Sequence, residues 1–203
     1  PFDCPEKYHR MYEDDYTGRE FCWPSYAEVT EPADAVEHLE KCYLGTLSMA
    51  DHWFGRLLQT LKDNGMYEDT LIIFTTDHGH MLGEHGFTGK NIMHAYNEMA
   101  HIPLMIHFPG GKEAGKRIKE LTQNIDLMPT ILQHHSCAVP ERVKGMSLLD
   151  AVRKKSSPRE QVIYGWFGRA VNVYDGRYTY FRAPASRENG PLYQYCGIGN
   201  YCL

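Results

Sequence analysis

Apolar residues recur at three- and four-residue steps between Asp34 and Asn64, and this period predicts one long amphipathic helix. Asp34 and Glu37 have the spacing of a capping box, and Gly65 supplies the stop. We expect the helix to cover one face of a sheet. Its positions 51–53 fall between the core positions, which are Val36, Leu39, Tyr43, Leu47, Ala50, Phe54, Leu57, Leu58 and Leu61.

Two short apolar runs follow the helix, from Leu71 to Phe74 and from Ile102 to Phe108. A continuous apolar run of this length is typical of a strand buried on both faces of a mostly parallel sheet. Helices are predicted from Asp126, as the cap, to about His135 and from Ser147 to Lys154. Alternating helices and strands predict an α/β fold, with a mostly parallel sheet and flanking helices.

After Pro158 the pattern changes to alternation of apolar and polar residues. It predicts three strands, at Gln161–Trp166, Ala170–Tyr174 and Tyr178–Arg182, with a hairpin turn at Asp175-Gly176. We therefore expect a larger α/β part over residues 1–157 and a small antiparallel β subdomain over 158–203. Its aromatic side chains are expected to be half-buried on the strands, the alternative being that they line a substrate cleft.

Polar residues begin abruptly where the first strand ends, at Asp77 and His78. Ligands of open α/β sheets bind outside the carboxyl ends of the strands, and a carboxylate with an imidazole suits a divalent cation. A glycine-rich loop then leads to Lys90, whose ammonium could neutralise an anionic substrate. From spacing alone, a solvated Asp-His pair before a flexible loop is an equally good interpretation.

The segment Thr76-Asp-His-Gly79, then Leu82-Gly-Glu-His-Gly86, then Lys90 resembles the sulfatases of the alkaline phosphatase superfamily in order and spacing. Support comes from a wider region, about Tyr43 to Leu149, and includes Ile125-Asp-Leu-Met-Pro-Thr130 and Gly145-Met-Ser-Leu148. The resemblance implies an alkaline-phosphatase-like fold and hydrolysis of a small-molecule or carbohydrate sulfate ester.

In that family Asp77 and His78 would be two ligands of one divalent cation, Ca²⁺ or Mg²⁺. Lys90 would be catalytic and bind substrate, by contacting the sulfate and the leaving oxygen. His85 also matches a family position, where it would either bind substrate or form a hydrogen bond within the loop. Related phosphodiesterases and phosphonate monoester hydrolases carry the same features, so an enzyme of that kind is the alternative.

Family members take their nucleophile from formylglycine, made from Cys or Ser in a Cys-x-Pro/Ala-Ser-Arg motif. The segment Cys22-Trp-Pro-Ser-Tyr26 resembles this motif but has Tyr26 in place of the Arg. The family also has an Asp-Asp pair of metal ligands near its amino terminus. Asp14-Asp15 does not match that pair, because no buried strand precedes it. Residues 1–12 resemble the segment just after the family's catalytic His. We therefore expect a carboxyl-terminal portion of a sulfatase, with formylglycine upstream, that is inactive alone; a non-catalytic anion-binding remnant is the other hypothesis.

A net charge of −5 gives no indication of nucleic-acid binding, and no apolar stretch is long enough to cross a membrane. We therefore expect no binding to nucleic acid or to a membrane, but we do expect self-association through an exposed sheet edge. The six cysteines lack zinc spacings such as Cys-x-x-Cys, so buried thiols are expected. A disulfide bridge between Cys4 and Cys22, or between Cys196 and Cys202, is the alternative.

Overall fold

A computed structural model describes residues 2–12, 15–21, 23–90, 94–154, 159–186 and 188–193. Cys22, Asp14, Cys196 and Cys202, which were weighed as motif or disulfide residues, lie outside this part of the chain. The chain divides into two compact units, Pro1–Arg117 and Ile118–Leu203. The predicted boundary between residues 157 and 158 falls within an undescribed segment and stays a prediction.

The first unit is an α/β arrangement around one long helix. Its helices are α1 (Glu6–His9), α2 (Ala33–Asp63) and α3 (Asn97–Ala100), and its strands are β1 (Ala27–Glu28), β2 (Ile72–Thr75), β3 (Met81–Leu82), β4 (Phe87–Gly89) and β5 (Leu104–His107). Strands β1, β4 and β3 form one sheet in that order, and β2 pairs with β5 in another.

The predicted long helix is confirmed, and its end has the predicted chemistry. Gly65 has a φ of 66°, and its N–H donates to the Lys62 carbonyl while the Met66 N–H donates to the Leu61 carbonyl. This pair of bonds is the Schellman motif, which requires a residue that tolerates positive φ. The predicted capping box is wrong, because the helix begins one residue earlier and its N-cap is Pro32, with no side-chain cap.

The amino-terminal half of α2 lies in the core and the carboxyl-terminal half lies on the sheet. Leu39 and Cys42 are buried with Phe2, Phe21 and Ala35. Farther along, the Phe54 ring lies 4.9 Å from that of Phe74 in β2, so the helix covers this strand as expected. The predicted core positions Leu47, Ala50 and Leu57 are exposed, whereas positions 51–53 are exposed as expected.

The two apolar runs form β2 and β5, and the parallel pairing that we expected for them is wrong. β2 and β5 are antiparallel, with Ile72 opposite His107 and Thr75 opposite Leu104, and every strand pair in the described residues is antiparallel. A parallel pair needs a long crossover, usually a helix. In its described residues the connection holds only the β3–β4 hairpin and the four-residue α3, so the chain doubles back. β2 is accordingly half-buried rather than buried on both faces.

The second unit contains α4 (Leu127–His134), α5 (Leu148–Lys154), β6 (Val162–Gly165), β7 (Val171–Tyr174) and β8 (Thr179–Arg182). The three strands form the predicted antiparallel meander, and the Asp175 side chain accepts the N–H groups of Arg177 and Tyr178 in the turn. Contrary to expectation, Phe167, Tyr178 and Tyr180 are exposed rather than half-buried.

Two of the motifs that suggested the family are joined inside this second unit. Asp126 is fully buried, and its side chain accepts the N–H groups of Gln123 and Met146 and pairs with Arg159. The buried Thr130 hydroxyl accepts the Leu148 N–H. Asp126 therefore stands at the N-cap of α4 as predicted, but its carboxylate holds neighbouring segments together rather than capping that helix.

Candidate cation and anion site

The polar cluster begins where β2 ends, as the sequence indicated. β2 stops at Thr75, and the next residues turn toward α3, where the Gly79 N–H donates to the Met99 carbonyl at 2.9 Å. A Cβ at Gly79 would lie 1.7 Å from the Glu98 carbonyl oxygen, so only glycine allows this approach. This contact fixes the backbone on which His78 is carried.

Asp77, His78 and Lys90 meet at this turn. His78 Nε2 lies 3.4 Å from Asp77 Oδ2 and 2.8 Å from Lys90 Nζ. Lys90 reaches this point because it follows β4, which pairs with β3 to form a hairpin after the turn. The side chain of Asp77 is 82% exposed, whereas that of His78 is 28% exposed, so the three groups lie at the surface rather than in the core.

The protonation of His78 follows from its neighbours. Its Nδ1 lies 2.7 Å from the Gly79 carbonyl, which can only accept, so Nδ1 carries the proton. The Lys90 ammonium can only donate, so Nε2 carries the lone pair. An imidazole held in this way by a backbone carbonyl has the orientation of a typical metal ligand.

These two residues fit a divalent cation. His78 Nε2 and Asp77 Oδ2 are both lone-pair atoms, so they repel one another unless a positive charge lies between or beside them. Two ligand atoms at right angles, each about 2.4 Å from one Ca²⁺, would be about 3.4 Å apart. The observed separation of 3.4 Å is short enough for both atoms to contact one ion.

Asp77 is also held in its charged form. Burial acts to raise its pKa, but the nearby His78 imidazole, which attracts the carboxylate when it is protonated, and hydrogen bonds from backbone N–H groups and from the Thr76 hydroxyl hold the pKa of Asp77 below its ordinary value. A carboxylate ligand at neutral pH is the result. A hard oxygen beside a nitrogen suits Ca²⁺, Mg²⁺ or a similar ion.

His85 is placed differently. It has a φ of 55°, and its ring stacks on Tyr96 at 3.9 Å. Its Nε2 lies 3.3 Å from Glu98 Oε1. The contacts that the structure gives this side chain are thus hydrogen bonding and stacking with the segment around α3, outside the loop of His85, and its predicted role in binding substrate stays a prediction.

His80 was not singled out from the sequence, although it lies in the same run. Its ring packs edge-on against Phe2 at 5.2 Å and Tyr26 at 6.1 Å. Burial lowers the pKa of His80, and the nearby charges of His78 and Lys90 lower it further. The place of His80 directly after Asp-His-Gly was the one feature of the sequence that could have indicated it. Only the fold shows that this ring connects the site to the amino-terminal segment that contains Phe2.

Comparison with known proteins shows which family the chain is similar to. The family model described as Sulfatase matches residues 1–136, which include Asp77, His78 and Lys90. The chain is 33% identical over 145 residues to an arylsulfatase of Clostridium perfringens (69% of this chain, 30% of the relative). It is 38% identical over 106 residues to an N-acetylglucosamine-6-O-sulfatase of Bacteroides thetaiotaomicron (52% of this chain, 19% of the relative).

A solved structure is also similar, that of a phosphonate monoester hydrolase from Silicibacter pomeroyi. It has a TM-score of 0.67 and 31% identity, with 75% of this chain and 34% of that chain covered. The chain thus spans about a third of the length of such relatives, or less. No helix among the described residues is long and apolar enough to cross a membrane. The fold class is alkaline-phosphatase-like, and the chain belongs to the sulfatase family.

Proposed function

We propose that this chain supplies part of the active site of an enzyme that hydrolyses sulfate esters. One observation carries the proposal: the convergence of Asp77, His78 and Lys90 at the end of β2, in a chain that belongs to the sulfatase family. Asp77 Oδ2 and His78 Nε2 would hold one divalent cation. When bound, that cation supplies Lewis-acid activation and balances negative charge.

Lys90 has the role of anion binding in this proposal. Its ammonium lies 2.8 Å from His78 Nε2; when a cation takes that lone pair, the ammonium turns away and can donate to a sulfate oxygen or to the oxygen of the departing alcohol. His78 keeps its orientation because Nδ1–H is held by the Gly79 carbonyl. The sequence contains no Cys-x-Pro/Ala-Ser-Arg motif, so the formylglycine nucleophile would come from a part of the protein outside these 203 residues.

A second function of the same superfamily is favoured by one observation, the similarity to a phosphonate monoester hydrolase. Asp77, His78 and Lys90 bind a cation and an anionic oxygen, and neither task distinguishes sulfur from phosphorus. The identity of the organic group is likewise left to parts of the protein that contact it. The substrate must therefore be determined by assay.

The test uses the longest natural protein that contains this chain. It is assayed in parallel on 4-nitrophenyl sulfate and on a 4-nitrophenyl phosphonate monoester, with Lys90→Met, Asp77→Asn and the exposed control Lys112→Met. We expect sulfate ester hydrolysis that Lys90→Met lowers by about 10²–10³-fold, the usual effect of removing one charge-stabilising donor. Activity on the phosphonate alone would contradict the sulfatase proposal, and unchanged rates in both site variants would contradict the assignment of the site.

A further inference from the structure

A second group of ligating side chains lies apart from Asp77 and His78, on the amino-terminal half of α2. It comprises His9 at the end of α1, Glu20 in the segment between α1 and β1, and His38 and Cys42 on α2. His9 Nε2 is 2.9 Å from Glu20 Oε2, and His38 Nε2 is 3.2 Å from the same oxygen. Cys42 Sγ is 3.3 Å from His38 Nε2, and all four ligand atoms lie within 4.8 Å of one another.

The helix places two of these residues on one face. His38 and Cys42 are four positions apart, which is the spacing that stacks side chains one turn above another. Paired ligands at this spacing are a common way for a helix to hold zinc. This spacing lies within the predicted helix, but the cysteines were predicted to be buried thiols because no Cys-x-x-Cys spacing is present.

A close crossing of two helices brings the third ligand. A Cβ at Gly45 would lie 2.4 Å from the carbonyl oxygen of Tyr8, so α1 approaches α2 where the latter has no side chain. Tyr8 is buried there, and the next residue is His9. Because His9 and Glu20 are far from α2 in the sequence, no local pattern could have grouped them with it.

The atoms of the cluster share their partners. Glu20 Oε2 has two lone pairs and can accept N–H groups from both His9 and His38. His38 Nε2 also faces the Cys42 sulfur. The same four atoms would bind one cation instead once the imidazole nitrogens and the thiol give up their protons.

The set of donors selects the kind of cation. Two imidazole nitrogens, one carboxylate oxygen and one thiolate make a four-ligand set typical of zinc. Ligands about 2.0–2.3 Å from a tetrahedral ion lie about 3.3–3.8 Å apart. The separations of 2.9, 3.2 and 3.3 Å lie at or just below the short end of this range. All other pairs of ligand atoms lie within 4.8 Å, so small side-chain movements would complete the tetrahedron.

Burial agrees with such a site. Cys42 and His38 are buried, whereas the Glu20 side chain is 44% exposed and leaves a route from solvent.

We propose that His9, Glu20, His38 and Cys42 form a structural site for one zinc-class transition-metal ion, which ties α1 and the segment after it to α2. The site differs from the pair Asp77 and His78 in having sulfur among its ligands, so it takes a softer cation. It would stabilise the amino-terminal part of the first unit by closing a long loop. It does not depend on the proposed sulfatase activity.

The test uses the whole chain, stripped of metal with a chelator and titrated with Co²⁺ as a probe. A thiolate bound to Co²⁺ gives a near-ultraviolet charge-transfer band, and tetrahedral Co²⁺ gives intense visible bands. We expect both bands to saturate at one ion per chain, to disappear when Zn²⁺ is added, and to accompany a rise in Tm. Asp77→Asn should leave the bands unchanged, since that residue belongs to the other site.

Variants assign the ligands. Cys42→Ser should abolish the charge-transfer band, and His9→Gln, at the edge of the cluster, should weaken Co²⁺ binding at least tenfold while circular dichroism shows a folded chain. Cys137→Ser and His134→Gln are controls, because they change the same residue types in the second unit. Absence of a saturating charge-transfer band, or a band that survives both Cys42→Ser and His9→Gln, would overturn the proposal.

Discussion

The Gly79 carbonyl sets the ring orientation of His78. The lone pair on Nε2 faces two charged groups of opposite sign, the Asp77 carboxylate and the Lys90 ammonium. Asp77 Oδ2 and Lys90 Nζ both lie within 3.4 Å of its Nε2. A lysine ammonium beside a neutral imidazole is a weaker partner than a divalent ion would be. We therefore propose that these three residues bind a cation and an anion together.

Asp126 contributes to stability rather than to chemistry. It is fully buried, and its partner Arg159 is also largely buried. Asp126→Ala would leave the arginine charge and two backbone N–H groups without their carboxylate, so we expect a loss of about 3–5 kcal/mol in the free energy of unfolding. Urea denaturation followed by circular dichroism measures this loss.

The matched control is Glu141→Gln, an exposed carboxylate in the same unit, which should change the stability by less than about 0.5 kcal/mol. Equal effects of Asp126→Ala and Glu141→Gln would show that the buried ion pair adds nothing. In that case the two motifs joined by Asp126 would need another explanation.

At the scale of elements, the same glycine-to-alanine substitution can be made at two positions of α2, one closely packed and one open. Gly45 lies against the Tyr8 carbonyl, whereas a Cβ at Gly55 would meet nothing within 4 Å. Gly45→Ala should force α1 away and cost about 1–3 kcal/mol, the usual cost of overpacking. Gly55→Ala should stabilise the chain by about 0.5–1 kcal/mol, because alanine loses less backbone entropy in a helix.

Thermal unfolding of the two variants checks both signs in one experiment. Because α1 carries His9, Gly45→Ala should also weaken Co²⁺ binding, and Gly55→Ala should not. A stabilising Gly45→Ala would mean that α1 does not cross α2 at this point.

Local signals explain which elements could be predicted from sequence. The period of α2, its Gly65 stop and the Asp175-Gly176 turn are set by residues close together in the chain. The direction of β5 relative to β2 depends on the path of about 30 intervening residues, so no local pattern gave it. The exposure of Leu47 and Leu57 likewise depends on which other segments reach α2.

The same reasoning separates the two sites. Asp77, His78 and Lys90 were predicted because they lie within fourteen consecutive residues that follow one strand. His9 reaches His38 and Cys42 through the crossing of α1 and α2, and Glu20 comes from the segment that follows α1. Sequence reasoning therefore predicted the proposed site that lies in one segment, and it did not predict the cluster that is built from three segments.

At the scale of the whole molecule, we predict that these 203 residues alone hydrolyse no sulfate ester. The first unit contains the proposed cation-binding pair and a lysine, but the sequence contains no formylglycine motif to supply a nucleophile. A sensitive fluorogenic aryl sulfate, with Ca²⁺ or Mg²⁺ added, measures this in purified material. A rate that depends on metal and is lost in Lys90→Met would show that a nucleophile in this chain has been overlooked.

The most direct test of the central claim is a Ca²⁺ titration of the chain, followed by nuclear magnetic resonance of the His78 imidazole nitrogens. Our account predicts a saturable shift at Nε2, smaller change at the hydrogen-bonded Nδ1, and at least tenfold weaker binding in Asp77→Asn. Zn²⁺ held at the other cluster should not prevent this shift. An Nε2 resonance that does not respond to Ca²⁺ or Mg²⁺ up to about 10 mM would contradict the assignment of Asp77 and His78 as ligands.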